Sequence, residues 1–326
     1  MNLIIGKNGL LGRELCLRLE AEKIPYLSTG SQELDITDKA AVDAYFSRYK
    51  PQIIYLCAGY TAVEKAEQEE RHLAHQVNAV GTENIAQAAE KVGALLLYVS
   101  TDYVFSGDLA LGKEWEVDAV PQPQTHYGYT KLLGENAVRE NTTKHYIIRT
   151  SWLFGCYGNN FVSTMKKKAK NKEEQVIMVV NDQFGCPTWT KTLADFMIYL
   201  VQHKPEYGIY HLSNAKAETE NLSWFEFAKY ILRKEKVKLL PLATVELSSK
   251  VKRPYNSTLS LKKTEAIGFS VPTRQEALNA MQGLEENGEQ KMEILIICVL
   301  LTFLVFQLFS FPKTSVLQEK AEEREE

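Results

Sequence analysis

Short apolar runs alternate with longer stretches of mixed polarity through the first half of the chain. The apolar runs predict strands at residues 2–5, 24–27, 52–57, 95–99 and 144–149. The stretches between them predict helices, among them residues 13–23 and a long helix over about residues 67–92. Helical crossovers give parallel strands, and strands buried on both faces are apolar throughout. This order predicts a doubly wound, Rossmann-type α/β domain over residues 1–150.

The second half of the chain continues the pattern with fewer apolar runs. Strands are predicted at residues 176–180 and 208–214, and helices from Thr192 onwards and over residues 224–233. We expect residues 151–285 to form a smaller α/β substrate domain. Part of residues 185–215 is expected to return to the first domain.

A long apolar run lies near the end of the chain. Residues 294–311 are eighteen residues without a charge. As a helix, the run would span roughly 27 Å, which is close to the hydrocarbon thickness of a bilayer. Residues 286–326 are therefore predicted to form a linker, a transmembrane helix over 294–311 and a charged tail. The alternatives are a buried or partner-binding helix, or a foreign segment fused from Met292 onwards.

The composition is that of an ordinary globular protein, with 45% apolar and 24% charged residues. A net charge of −3 gives no basic field that would attract nucleic acid. Five cysteines without a CxxC pair indicate reduced thiols rather than a zinc site or a disulfide framework. No charged n-region precedes the first strand, so no signal peptide is predicted. We expect a cytoplasmic enzyme domain that the C-terminal helix attaches to the membrane.

A glycine-rich turn joins the first predicted strand to the first helix. Gly6, Gly9 and Gly12 have a spacing that lets the backbone approach a pyrophosphate at the helix N-terminus. The strand before the turn and the helix after it give the context of a dinucleotide site. Residues 28–30, after the second strand, include no carboxylate for the ribose hydroxyls of NAD. Lys7 could instead meet a 2′-phosphate, which favours NADPH over NADH.

Candidate catalytic residues follow the fourth predicted strand. Ser100, Thr101 and Asp102 stand at its carboxyl end, where ligands bind in open α/β sheets. Tyr127 and Lys131 are four residues apart, so they would share one face of a helix. An ammonium beside a phenol favours the phenolate, so we expect Lys131 to lower the pKa of Tyr127 from about 10. Tyr127 would then exchange a proton near neutral pH.

Four motifs carry a family resemblance: STDYVFSG at 100–107, YGYTKLLGE at 127–135, RTSWLFG at 149–155 and NDQFGCPTW at 181–189. From about Met1 to about Leu284, the chain resembles the dTDP-4-dehydrorhamnose reductases, a family of extended short-chain dehydrogenase/reductases. The resemblance implies a Rossmann-type domain and a nicotinamide cofactor. It also implies NAD(P)H-dependent reduction of the C4 ketone of dTDP-4-dehydro-L-rhamnose to dTDP-L-rhamnose.

The resemblance implies roles for individual residues. Tyr127 would give a proton to the ketone oxygen, Thr101 would hydrogen-bond the ketone, and Lys131 would hydrogen-bond the nicotinamide ribose. The implied cofactor contacts are Gly6, Lys7, Asn8, Gly9, Leu10, Leu11, Gly12, Asp35, Ile36, Ala58, Gly59, Tyr60 and Asn78, besides Tyr127 and Lys131. The implied substrate contacts are Thr101, Asp102, Tyr103, Trp152, Asn181, Gln183 and Arg253. The chain departs from the family pattern at Gly59 and Glu64, where the family usually has Ala and Asp.

Two other functions stay open at this point. Another nucleotide-sugar reductase or epimerase could use the same scaffold, because a fold does not fix a substrate. A non-catalytic NADP-binding regulator, like the regulatory subunit of methionine adenosyltransferase, also resembles this family, although the intact Thr101, Tyr127 and Lys131 favour an enzyme. No residue cluster requires a catalytic metal. Some members of the family bind Mg²⁺ at a subunit contact, so Mg²⁺ and a homodimer are further options.

Overall fold

The computed structural model describes residues 1–171, 176–216, 221–249 and 251–286. The strands are β1 (Asn2–Ile5), β2 (Tyr26–Thr29), β3 (Ile53–Leu56), β4 (Leu95–Thr101), β5 (His145–Thr150), β6 (Leu153–Phe154), β7 (Val176–Val180), β8 (Thr188–Trp189), β9 (Gly208–Leu212) and β10 (Lys238–Leu242). Six of them form a parallel sheet in the order β2-β1-β3-β4-β5-β9. The predicted Rossmann-type parallel sheet is confirmed.

Helices cover both faces of this central sheet. The helices of the described residues are α1 (Leu10–Ala21), α2 (Lys39–Tyr49), α3 (Val63–Ala66), α4 (Arg71–His75), α5 (Thr82–Val92), α6 (His126–Asn141), α7 (Phe161–Lys170), α8 (Thr190–His203), α9 (Trp224–Ile231) and α10 (Lys262–Ala266), with a last helical stretch at 274–286. Leu3 and Ile5 of β1 lie in the core that α2, α5 and α6 cover. Ile4 lies in the core that α1 and α8 cover. Successive residues of β1 therefore face opposite cores, which is why the strand is apolar throughout.

The second half of the chain adds one strand to the central sheet and two small sheets. β9 pairs with β5 at the sheet edge. β6 pairs with β8, and β7 pairs with β10, both in parallel. The chain divides into two compact units, Met1–Leu278 and Asn279–Glu326. The division at residue 150 into a cofactor domain and a substrate domain stays a prediction.

The hydrophobic segment predicted to cross the membrane, residues 294–311, lies outside the described residues. Within the part of the chain that the structure describes, no helix is both long and apolar enough to span a bilayer. Membrane attachment therefore stays a prediction from the sequence.

The long helix predicted over residues 67–92 is interrupted in the structure. It consists of α4, a π-helix over Gln76–Gly81, and α5. The π-helix contains the buried Asn78, whose Oδ1 accepts from the Tyr60 amide (2.8 Å) and whose Nδ2 donates to the Tyr60 carbonyl (3.0 Å) and the Thr130 hydroxyl (3.1 Å). Helical periodicity gives no warning of this, because a π turn adds a single residue to an otherwise helical pattern.

A buried ion pair joins α6 to the central sheet. Arg149 of β5 donates to Glu135 of α6 through Nε (2.9 Å) and Nη2 (2.7 Å), and both side chains are at most 2% exposed. The Ser100 hydroxyl donates to the same carboxylate (2.5 Å). Buried charges lose their hydration, so such a pair depends on complete hydrogen bonding. It holds α6 against the ends of β4 and β5.

Removing one partner of this pair should destabilise the fold strongly. Glu135→Ala leaves the Arg149 guanidinium buried without its carboxylate, which should lower the free energy of unfolding by about 3–5 kcal/mol. Asp43→Ala is the matched control, because it breaks a more exposed pair with Lys91, and such pairs contribute about 0.2–1 kcal/mol. Urea unfolding followed by far-UV circular dichroism measures both losses. Equal losses would contradict a special role for the buried pair.

Candidate active site

Two adjacent cavities open at the carboxyl ends of the central strands. The larger, which we call the strand-end cavity, has a volume of about 420 Å³ and is lined by residues of β4, β5, α6 and α9. The smaller, the β1–β2 cavity, has a volume of about 280 Å³ and lies beside the glycine turn. Both include Gly9 and residues 57–59 in their walls. They lie where the strand order reverses between β1 and β3, the usual ligand position in such sheets.

The glycine turn has no room for side chains at two of its positions. Gly6 has a φ of +99°, and a Cβ there would lie 2.6 Å from the backbone nitrogen of Ala58. A Cβ at Gly12 would lie 2.1 Å from the Gly6 carbonyl oxygen. Leu10 and Leu11, the first residues of α1, line the strand-end cavity. The turn and the N-terminus of α1 therefore fit the pyrophosphate of a dinucleotide.

The end of β2 is close to a carboxylate that sequence reasoning missed. Glu33 reaches back over a tight turn, and its Oε2 accepts from the Gly30 amide (2.7 Å). Its Oε1 accepts from Lys7 Nζ (2.6 Å), and this hydrogen bond lowers the pKa of Glu33. Residues 28–30 include no carboxylate, as the sequence shows, but Glu33 stands three residues beyond Gly30 and returns to its amide. A cation and an anion lie together beside the β1–β2 cavity.

The other residues expected to contact a cofactor fall into two groups. The β1–β2 cavity is lined by Asn8, Gly9, Asp35, Ile36, Ala58 and Gly59, among others. Tyr60 and Asn78 line neither cavity. The Tyr60 phenol donates to Glu70 Oε2 (2.6 Å), and Asn78 holds the Tyr60 backbone. In the structure, Asn78 therefore fixes the turn after β3.

Thr101, Tyr127 and Lys131, the expected catalytic residues, meet in the strand-end cavity and are buried. The Thr101 hydroxyl donates to Asp102 Oδ1 (2.9 Å), and the Tyr127 phenol lines the same cavity. Lys131 Nζ donates to the Val99 carbonyl (2.7 Å). The end of β4 and the first turns of α6 thus bring a hydroxyl, a phenol and an amine together.

Burial determines the charge states of these groups. It raises the pKa of Tyr127. It lowers the pKa of Lys131 to about 7, although the Glu135 carboxylate one turn away favours the ammonium. The expectation that Lys131 lowers the pKa of Tyr127 is wrong for this structure, because burial dominates at both groups. At neutral pH the phenol keeps its proton.

Three expected substrate residues, Asp102, Tyr103 and Trp152, line the strand-end cavity. Burial raises the pKa of Asp102 to about 6, against the hydrogen bond from Thr101. Trp224, the first residue of α9, lines the same cavity, and sequence reasoning gave it no role. A serine before a helix predicts the helix start, but it does not show what the first side chain contacts.

The remaining expected substrate residues, Asn181, Gln183 and Arg253, do not line this cavity. Each of them is hydrogen-bonded to another side chain. Asn181 Oδ1 accepts from the Ser223 hydroxyl (2.6 Å), Gln183 Nε2 donates to Thr244 Oγ1 (3.0 Å), and Arg253 Nη2 donates to Glu64 Oε1 (2.6 Å). Glu64, one of the departures from the family pattern, also accepts from the Ser249 hydroxyl (2.8 Å). Its longer side chain therefore links α3 to the segment around Arg253.

A metal site is not formed by the residues that the structure describes. Among them, no group of three or more His, Cys, Asp or Glu side chains could hold a metal ion. Mg²⁺ at a subunit contact stays a prediction, because the structure describes a single chain.

Relatives of known name support the family resemblance. The RmlD substrate binding domain matches residues 1–285. The spore coat polysaccharide biosynthesis protein SpsK of Bacillus subtilis is 37% identical over 278 residues, which are 85% of this chain and 94% of that protein. A dTDP-4-dehydrorhamnose reductase of Streptomyces griseus is 38% identical over 272 residues, which are 82% of this chain and 88% of that protein. The chain belongs to the RmlD family.

Solved structures of similar proteins agree with this membership. The dTDP-4-dehydrorhamnose reductase of Bacillus anthracis, in complex with NADP, has a TM-score of 0.80 at 41% identity and covers 86% of this chain and 97% of its own. Its counterpart from Clostridium acetobutylicum has a TM-score of 0.82 at 38% identity and covers 87% of this chain and 99% of its own. A UDP-glucose 4-epimerase of Thermus thermophilus, at 16% identity and a TM-score of 0.70, shares the fold alone. The resemblance inferred from the four motifs is confirmed.

The glycines of this RmlD-family site should differ in their tolerance of a side chain. Gly12→Ala forces the turn to shift, so NADPH should bind at least roughly tenfold more weakly. Gly59→Ala is the matched control, because its Cβ would lie 3.4 Å from Asn78 Oδ1 and 3.8 Å from Lys131 Nζ, which are ordinary contact distances. It should keep the affinity within roughly threefold. NADPH fluorescence titration measures both, and equal weakening would contradict the steric explanation.

Proposed function

We propose that this chain is an NADPH-dependent dTDP-4-dehydrorhamnose reductase that converts dTDP-4-dehydro-L-rhamnose to dTDP-L-rhamnose. The observation that carries the proposal is the meeting of Thr101, Tyr127 and Lys131 in one cavity beside the glycine turn. Relatives with this name match over most of their length, and one of the similar solved structures is a complex with NADP.

The reaction adds a hydride to C4 of the sugar and a proton to its carbonyl oxygen. When bound, the nicotinamide supplies the hydride. Tyr127 donates the proton as negative charge develops on the oxygen, and burial keeps this phenol protonated until then. Thr101 hydrogen-bonds the same oxygen and aligns it. Lys131 would hydrogen-bond the nicotinamide ribose and so help to hold the cofactor beside the ketone.

Other functions have less support. The UDP-glucose 4-epimerase that shares the fold is 16% identical to this chain, and a shared fold at that level does not carry a substrate assignment. A non-catalytic regulator would need the glycine turn but not Thr101, Tyr127 and Lys131 together. Turnover separates the two, because a regulator would bind NADPH without oxidising it.

We also propose that the enzyme faces the cytoplasm and that residues 294–311 attach it to the membrane. The support is the uncharged apolar run in the sequence, whose helical hydrogen bonds would be satisfied internally in a bilayer. A homodimer is proposed on the family resemblance alone.

Tyr127→Phe tests the proton donor and the proposed reaction together. Wild-type protein mixed with dTDP-4-dehydrorhamnose should oxidise NADPH, followed by the absorbance of the reduced nicotinamide. The variant should lose at least about 100-fold in kcat, the scale of general acid catalysis, and should still bind NADPH. Tyr129→Phe is the control, because Tyr129 lies on the same helix and is 48% exposed. Unchanged kcat in Tyr127→Phe would remove Tyr127 from the mechanism.

The pair Lys7 and Glu33 should set the choice of cofactor. We expect the wild type to use NADPH at least as well as NADH, since Lys7 can meet a 2′-phosphate. Lys7→Ala should lower the ratio of kcat/KM for NADPH over NADH, and Glu33→Gln should raise it, each by roughly two- to fivefold because exposed charges act weakly. Both ratios come from initial rates with the two cofactors. Shifts in the same direction for both variants would refute this assignment.

The membrane proposal predicts the behaviour of the full-length protein. It should sediment with membranes and resist extraction by carbonate and high salt, because an exposed apolar run of this length is rare in soluble monomers. A truncated protein ending at Glu289 should stay in the supernatant and keep its kcat. Full-length protein that stays in the supernatant without detergent would show that the run packs against protein.

A further inference from the structure

Two tryptophans from distant parts of the chain stack on each other in the wall of the strand-end cavity. The ring centres of Trp152 and Trp224 are 3.5 Å apart, and the ring planes differ by 10°. Both side chains are half-buried, and both line the cavity that holds Thr101 and Tyr127. The stack therefore belongs to the wall beside the proposed reaction centre.

The two indole rings are stacked face to face. Aromatic pairs prefer offset or edge-to-face arrangements with centres about 4.5–7 Å apart over a face-to-face sandwich. In the present arrangement, each indole covers the face of the other. A ligand that packs on these faces would therefore replace an arrangement that is not the one aromatic pairs prefer.

Trp152 has an unusual backbone conformation, and hydrogen bonds hold it there. Its φ is +50°, a left-handed conformation that residues other than glycine rarely adopt and that is concentrated at functional sites. Its carbonyl accepts from the Thr188 amide (3.2 Å), and the Ser151 hydroxyl before it donates to the Cys186 carbonyl (2.6 Å). These bonds fix the backbone of Trp152 between β5 and β6.

Trp224 stands at the start of a well-capped helix. The Ser223 hydroxyl accepts from the Glu226 amide (3.1 Å) and donates to Asn181 Oδ1 (2.6 Å). The Trp224 ring also contacts Phe161 at the start of α7, with ring centres 4.5 Å apart. Asn181, which does not line the cavity, therefore supports Trp224 through its helix cap.

We propose that the deoxysugar ring of the nucleotide sugar separates Trp152 from Trp224 and packs between them, which makes Trp224 a substrate-binding residue. This inference rests on the proposed function. The sugar is favoured over the base because Trp152 follows directly on Thr150 and Ser151, which line the same cavity as Tyr127. The part of the substrate that reaches this point is the part that carries the ketone. The C–H faces and methyl group of a deoxysugar suit indole rings.

Circular dichroism can follow the stack in the wild-type protein. Two stacked indoles give an exciton couplet in the far ultraviolet, which should be absent from Trp152→Phe and Trp224→Phe. Trp189→Phe should keep it, because Trp189 belongs to no tryptophan pair in the described part of the chain, and its indole N–H has no hydrogen-bond partner there. Adding the product dTDP-L-rhamnose should remove the wild-type couplet, and dTDP alone should leave it.

Kinetics give an independent readout. Trp224→Phe should raise KM for dTDP-4-dehydrorhamnose by roughly tenfold while kcat changes by less than roughly threefold, since the ring contributes to binding rather than to proton transfer. Trp189→Phe should leave both unchanged. A couplet that survives saturating product, or one that dTDP alone removes, would overturn the inference while wild-type turnover leaves the proposed function standing. If neither turnover nor product binding is seen, both the inference about Trp224 and the proposed function are wrong.

Discussion

The buried ion pair between Glu135 and Arg149 is the interaction on which the site depends. Arg149 donates two hydrogen bonds to the carboxylate, and the end of β4 adds a third through Ser100. Such bidentate contact fixes the orientation of the groups as well as their separation. Because either charge alone would be buried without compensation, the two can be replaced only together. Lys131 and Tyr127, one and two turns before Glu135, are thereby placed against the strand ends.

The same burial determines the charge state of the Tyr127 phenol. It raises the pKa of this group, so the phenol keeps its proton at neutral pH. A general acid must hold a proton before it can give one, and in the proposed reduction Tyr127 would give its proton to the sugar oxygen as negative charge develops there. Burial therefore favours the form of Tyr127 that the proposed role needs.

The parts of the fold and the site that could be predicted are those whose signal lies in neighbouring residues. β7 has its predicted bounds, and the spacing of Tyr127 and Lys131 places both on one helix that enters the cavity. Glu33 could not be assigned, because it acts at the end of β2 only after the chain turns back on itself. Trp224 could not be assigned either, because its partner is remote in sequence. The charge states were missed for the same reason, since burial is a property of the whole fold.

The π-helix over Gln76–Gly81 makes the length of its segment part of the site. A π turn can be regarded as an α-helix with one residue added, so deletion of one residue would restore the regular winding. Everything on one side of the deletion would then rotate by about 100° relative to the other side. With α5 fixed in the core, Asn78 would lose its contacts with Tyr60 and Thr130. This stretch should therefore tolerate hardly any change in residue number.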